Sequence, residues 1–199
     1  MEIERYYMSD PDGSIDQRIG DRLRALRARH GFTLDDLAAR AAVSRAMLSR
    51  IERGDSSPTA QLLGKVCAGL GITLSELFAD EPEPSPVRRR RDQSAWRDPA
   101  SGYIRRNVSP SGTGTTVSIS EVELPPGARV AFDSLQLRGA DQHIWVFDGV
   151  LELAIGDDRH RLDAGDCIHM DFARPVTFLN PGRRPVRYAV VIGRRGLAG

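Results

Sequence analysis

The chain has 199 residues, 40% of them hydrophobic, and a formal net charge of +1 from 28 basic and 27 acidic side chains. That length suits one or two domains; no apolar run reaches the roughly 20 residues of a membrane span; and the near-neutral balance excludes a uniformly basic nucleic-acid binder, so any affinity for phosphate must come from local patches. The opening Met1-Glu2-Ile3-Glu4-Arg5 is too polar for a secretory signal. Cys67 and Cys167 lie far apart and read as two small buried thiols in a reducing cytoplasm.

After a polar arm over residues 1–13, Ile15, Ile19, Leu23 and Leu26 recur at helical spacing and predict a helix to about His30, ended by Gly31. Thr33 with Asp36 fits [ST]-x-x-[DE] and opens a second helix over 33–41. Ser44 is the N-cap of a third, over 44–53, and Gly54 suits its stop. In this pair Leu37, Ala38, Val43, Leu48 and Ile51 face a core, while Ser44, Arg45, Ser49 and Arg50 face outward. Two short amphipathic helices joined by a tight turn form a helix-turn-helix, whose second helix can lie in the DNA major groove. Ser57-Pro58 reads as cap and first residue of a fourth helix through Leu62, Leu63, Val66 and Leu70, and Thr73 with Glu76 caps a short fifth ending near Phe78.

Residues 81–98 change in character. An acidic, Pro-rich stretch runs into Arg88-Arg89-Arg90-Arg91, which predicts an extended linker. The arginine run is either a solvated charge block or an auxiliary phosphate contact. From Thr115 the apolar period becomes two. Strands are expected from 117 to 124 and over 129–132, 142–147, 150–155, 159–162, 167–170, 176–180 and 186–192, punctuated by Gly149, Gly156, Gly165 and Pro181-Gly182. Many short strands with regular turns mean a sandwich or barrel.

The residues Leu37-Ala38, Val43-Ser44 and Ser49-Arg50-Ile51-Glu52-Arg53-Gly54 resemble the Xre/Cro-type DNA-binding domain, over roughly residues 15–79. The resemblance implies a five-helix, lambda-repressor-like domain. It places Ser44, Arg45, Ala46, Ser49 and Arg50 on the DNA side of the recognition helix, with Arg53 and Lys65 as further phosphate contacts. Leu34 stands where the family often has a phosphate-binding Gln, and Ala42 where the turn usually has Gly. A left-handed Ala42 would cost roughly 1 kcal/mol.

Residues 144–149 and 162–166 resemble the cupin family, a resemblance that covers about 105–195. Aligning its two motifs on Gly149 and Gly165 puts the four metal-ligand positions at Gln136, Arg138, Gln142 and Val176; a one-residue longer gap moves the first two to Leu135 and Leu137. Gln is a poor transition-metal ligand, and Arg and Val are none. The expectation is a barrel with no metal, no cofactor and no catalytic residue. Gln136, Arg138, Gln142 and Asn180 are expected to line a polar ligand pocket instead, with Arg138 suited to a carboxylate or phosphate. His143 neighbours Gln142 and so points to the opposite face with Trp145 and Phe147, a face covered by a second sheet or by a subunit partner.

The chain is therefore expected to be an α+β two-domain protein: a helix-turn-helix domain over 1–80, a linker over 81–98, and an all-β cupin barrel, or double-stranded β-helix, over 99–199. The expected function is that of a cytoplasmic transcriptional regulator without membrane contact. It would bind a double-stranded DNA operator as a homodimer and answer a small-molecule effector. The rival class, an iron-dependent oxygenase or epoxidase with an appended helical domain, needs a two-His, one-carboxylate face that the aligned positions lack.

Overall fold

The computed structural model describes residues 14–79, 85–135, 137 and 139–194. Five helices come first: α1 (Ser14–Arg29), α2 (Leu34–Ala41), α3 (Arg45–Glu52), α4 (Ala60–Leu70) and α5 (Leu74–Leu77). Hydroxyl caps set their starts. The side chains of Thr33, Ser44, Thr59 and Thr73 each accept a hydrogen bond from the backbone N–H three residues on, and Thr33 and Thr73 complete reciprocal boxes with Asp36 and Glu76. The fourth cap differs from the expected Ser57. The Ser57 hydroxyl donates instead to the Asp16 carboxylate on α1, and Thr59 takes over the cap two residues later. Ala42, at the end of α2, is left-handed with φ 52°; the strain falls where the reversal between α2 and α3 requires it. Ile19, Leu23, Leu37, Leu48, Ile51, Leu63 and Val66 close over one another as the helical core.

The rest of the chain is β: β1 (Ala95–Arg97), β2 (Ile104–Asn107), β3 (Val117–Leu124), β4 (Arg129–Phe132), β5 (Ala140–Asp148), β6 (Val150–Ile155), β7 (Asp158–Asp163), β8 (Cys167–Asp171), β9 (Val176–Leu179) and β10 (Val186–Arg194). One sheet runs β1-β2-β3-β10-β5-β8 and the other β4-β9-β6-β7, every ladder antiparallel. Strands β3 to β10 thus divide between two four-stranded layers, switching layer at every connection but the β6–β7 hairpin, which is the jelly-roll order of a cupin barrel. Alternation sorts the faces as the sequence indicated: Gln142, Ile144 and Val146 of β5 point inward, and His143, Trp145 and Phe147 point out. Cys67 is buried in α4, but Cys167 is exposed on β8, so only one of the two thiols is the buried filler expected of both.

β1 and β2 lengthen the first sheet, and β1 lies inside the stretch whose composition reads as linker. Three residues show no period, and the four of β2 are all buried despite reading Ile-Arg-Arg-Asn. The reason for their burial is the helical domain. Phe78 packs on Trp96 at 5.2 Å between ring centroids, and Trp96 on Tyr103 at 6.3 Å. The Ala60 N–H at the start of α4 donates to Asp98 Oδ1 at 3.0 Å. The Asn107 amide donates to the Phe78 carbonyl, and Arg194 pairs with Glu76 at 2.8 Å. Gly64 on α4 lies so near Phe132 that a Cβ there would sit 2.9 Å from the ring. Buried side chains of helices and barrel form one continuous core. No helix among the described residues is long and apolar enough to cross a membrane.

Candidate nucleic-acid interface

The α2–turn–α3 unit presents one face of α3 to solvent. Leu48 and Ile51 are fully buried and anchor the opposite face, while Ser44, Arg45, Ala46 and Arg50 are exposed and Ser49 is half-buried. The structure thus brings the six expected DNA-facing residues together on one short helix and its cap, with Arg53 at the C-terminal end. Their side chains are not equally available. Arg53 Nη1 donates to Ser49 Oγ at 2.6 Å and its Nε to Asp55 Oδ2 at 2.7 Å, so both residues are held on the helix end. Arg45 Nε lies 3.2 Å from Asp35 Oδ1 at the start of α2, in a pair exposed on both sides. Such a pair is worth about 0–1 kcal/mol in water, which leaves Arg45 ready to exchange Asp35 for a phosphate or a guanine edge. Arg50 makes only a long contact, 3.4 Å, to the Asp55 carbonyl oxygen.

What fixes α3 is a pair that periodicity alone did not reveal. Glu52 is 4% exposed. Its carboxylate accepts from Arg27 Nε at 2.6 Å and Arg27 Nη2 at 2.8 Å, while Arg27 Nη1 donates to the Phe32 carbonyl at 2.8 Å. The hydrogen bond to Glu52, reinforced by its charge and opposed by burial, raises the Arg27 pKa above its ordinary value. A fork on two parallel N–H···O bonds sets orientation as well as energy. Gly20 sets distance: a Cβ there would lie 2.4 Å from the Ile51 carbonyl oxygen. The sequence signalled only that Glu52 needs a partner, not which one. Glu52 falls on the stripe that follows Leu48 and Ile51, where a charged residue must find a partner.

One member of the arginine run, Arg90, docks on the barrel. Arg90 Nη1 meets Glu121 Oε2 at 3.0 Å, Arg187 Nη2 meets Glu121 Oε1 at 2.7 Å, and the Arg88 guanidinium donates to the Asp92 carbonyl. Burial pushes the Glu121 carboxyl up, but the hydrogen bonds and charges of Arg187 and Arg90 outweigh it and hold the pKa below the usual range.

The expected ligand residues separate. Gln142 and Val176 line a cavity of about 70 Å³ at the barrel mouth, beside Tyr188 and Phe178 and bordered by α4 and the start of α5. Gln136 and Arg138 lie outside the described residues. Asn180 is fully buried, but its amide donates to the Leu124 carbonyl at 2.9 Å and the Arg184 carbonyl at 2.8 Å, and its oxygen accepts from Gly182 N at 2.9 Å. Its side-chain polar atoms are committed to the turn between β9 and β10 and to the end of β3, so Asn180 ties backbone together rather than lining a pocket. The donor set does not fit the metal of a cupin. Gln142 and Val176 offer no imidazole or carboxylate, and His143 and His169, tilted against each other at 4.9 Å between ring centroids, lie on the outer face beside Asp141. Among the described residues no three His, Cys, Asp or Glu side chains converge as ligands.

Comparison with known proteins agrees with this architecture. The helix-turn-helix family HTH_3 matches residues 23–77. The HTH-type transcriptional regulator SutR of Escherichia coli K12 is 27% identical over 172 residues, 85% of this chain and 91% of that one. The control protein C.MunI of Mycoplasma is 41% identical over 64 residues, 32% of this chain and 86% of the relative. The crystal structure of an HTH_3 family transcriptional regulator from Vibrio cholerae superposes with a TM-score of 0.76 at 25% identity, covering 93% of this chain and 99% of that one. Motif, cap geometry and relatives converge: the chain belongs to the Xre-type helix-turn-helix family of DNA-binding transcriptional regulators, with a C-terminal barrel of jelly-roll order.

Proposed function

We propose that the chain reads an operator as a homodimer, laying α3 of each copy in a major groove, and acts in the cytoplasm as a regulator rather than an enzyme. The observation that carries this reading is the exposed face of α3, with Arg45 and Arg50 free of any buried partner, on a helix locked in place by Glu52 and Arg27. The non-enzymatic reading is supported by Gln142 and Val176, which leave two of the aligned metal-ligand positions at the barrel mouth without an imidazole or carboxylate. Dimerisation is supported by the outer face of the larger sheet. Trp145, Phe147, Val117 and Ile119 are each 38–50% exposed there, and the Trp145 and Phe147 rings touch at 5.1 Å between centroids. Large apolar side chains exposed on one sheet face mark an interaction surface. A second copy seated on it would give the two heads that a pair of half-sites requires, about 34–36 Å apart or a multiple of that. The barrel cavity, at about 70 Å³, admits only a few atoms beside Gln142, so an effector of ordinary size needs another place.

Selection of DNA fragments by the purified full chain, followed by sequencing, tests the reading. A recurring site with two related halves is expected. Arg45→Ala should weaken binding to that site by about 1–3 kcal/mol and relax preference at one or two base pairs. Equal loss on random DNA would make Arg45 a phosphate contact, and failure to enrich any site would overturn the proposal.

A further inference from the structure

A cleft of about 880 Å³ separates the helical domain from the barrel, between α1 and the end of α5 on one side and β1 and β2 on the other. Leu77, Phe78 and Trp96 give it apolar walls, and three guanidinium groups, Arg18, Arg22 and Arg105, line the same space. Asp21 is the one carboxylate among its lining residues, and it is already engaged by Gln17 at 3.2 Å and Arg24 at 3.6 Å.

Two of these guanidinium groups are incompletely satisfied. Arg105 is 4% exposed; its Nη2 donates to Ser75 Oγ at 2.5 Å and its Nη1 makes a long 3.4 Å contact to the Tyr103 hydroxyl, but its Nε has no acceptor. Arg22 reaches the Glu76 carbonyl oxygen at 3.4 Å, and its Nε is also buried without an acceptor. Among the described residues these two Nε atoms are the only buried side-chain nitrogen or oxygen atoms lacking a partner; both residues line this cleft, and Arg105 also borders the cavity at the barrel mouth. Neither guanidinium forms an ion pair with a described carboxylate. A buried cation without an anion is costly, and a buried polar atom left unpaired points to a group that completes it.

We propose that this cleft is an effector site for an organic anion, with Arg105 and Arg22 holding its carboxylate or phosphate head and Phe78 and Trp96 flanking its apolar body. Guanidinium forks match both head groups, and the volume falls in the range of small-molecule sites, about 300–1,000 Å³. Because α1 forms one wall and β1–β2 the other, the anion bridges head and barrel. It therefore favours whichever placement of the head lets both arginines reach it, and in a dimer that placement sets the distance between recognition helices. This consequence rests on the regulator reading above; the binding itself does not.

Calorimetric titration of the full chain with benzoate and with phenyl phosphate, against uncharged benzamide, tests the site. At least one anion should bind saturably, with benzamide at least about tenfold weaker. The two anions together say which head is preferred. Arg22→Met, on the half-buried flank of α1, and Arg105→Met should each weaken binding by about tenfold or more; circular dichroism shows that each variant is folded, and Arg22→Met decides alone if Arg105→Met is not. No saturable binding of either anion, equal binding of benzamide, or full affinity in the folded variants would overturn the site. Operator binding is then measured with and without the saturating anion. A shift of threefold or more in half-maximal binding is expected, and no shift would overturn the effector role. Absence of operator binding without any anion would instead count against the regulator reading, and calorimetry would still judge the cleft.

Discussion

Replacing Glu52 by alanine removes both carboxylate acceptors from Arg27 and leaves a guanidinium whose side chain is only 16% exposed. Breaking a buried pair from one side costs about 3–5 kcal/mol, and the partial access of water to Arg27 places this case near 3 kcal/mol. Arg27→Ala should cost less, about 2 kcal/mol, because Glu52 keeps Arg24 Nε at 3.9 Å. The double variant should lose less than the sum of the two, with a coupling of about 1–3 kcal/mol. Urea unfolding followed by helical circular dichroism reads this directly. At a slope of about 2 kcal/mol per molar, the Glu52→Ala midpoint should drop by roughly 1.5 M. DNA affinity should fall with the same residue, because α3 loses its clamp while its exposed face is untouched. Losses that add to within about 0.5 kcal/mol would refute the coupling. So would a Glu52→Ala chain that keeps its urea midpoint yet loses DNA.

Gly20→Ala puts a methyl group 2.4 Å from the Ile51 carbonyl, so α1 and α3 must part. A net loss of about 1–3 kcal/mol in a thermal melt is expected despite alanine's better helix propensity, and an unchanged melting temperature would contradict it. Trp145→Arg should abolish the proposed dimer in sedimentation while leaving the barrel's circular dichroism intact; a variant as dimeric as the parent chain would refute this interface. For Glu121 the folded pKa lies below its ordinary value near 4.5. Its stabilisation is therefore present above that value and is lost as pH falls through the lower folded one. Glu121→Gln should flatten the acid side of the stability profile, and an unaltered profile would show that Arg90 and Arg187 do not stabilise the charge.

Most of the architecture was legible because each element carries its own local signal. Thr33, Ser44 and Thr73 announce helix starts through hydroxyl chemistry alone, and the apolar run Ile144–Phe147 marks the strand β5. What escaped notice depends on partners distant in sequence. Thr59 displaced Ser57 as a cap because Asp16 on another helix claimed the Ser57 hydroxyl. β2 hides two arginines, Arg105 tied to Ser75 and Arg106 to the Gln93 carbonyl, so no hydrophobic pattern marks it. Asn180 matched a ligand-lining motif position, yet its hydrogen bonds tie backbone together. The recognition face was readable from spacing on one helix. Its clamp was not, because Arg27 and Glu52 are 25 residues apart.

The packing of Phe132 against Gly64, and of Trp96 against Phe78, has a bearing on how such proteins are cut and recombined. A reader of composition would sever this chain in the Pro- and Arg-rich stretch and treat the halves as interchangeable modules. Each half would then carry a raw apolar scar, Phe78 on one and Trp96 with Phe132 on the other, and the start of α4 would lose the carboxylate of Asp98. A foreign head grafted onto this barrel must bring a glycine opposite Phe132 and an acceptor for Asn107. Lineages that exchange heads are thereby confined to partners whose fourth helices already match, and heat should melt the intact chain in a single step.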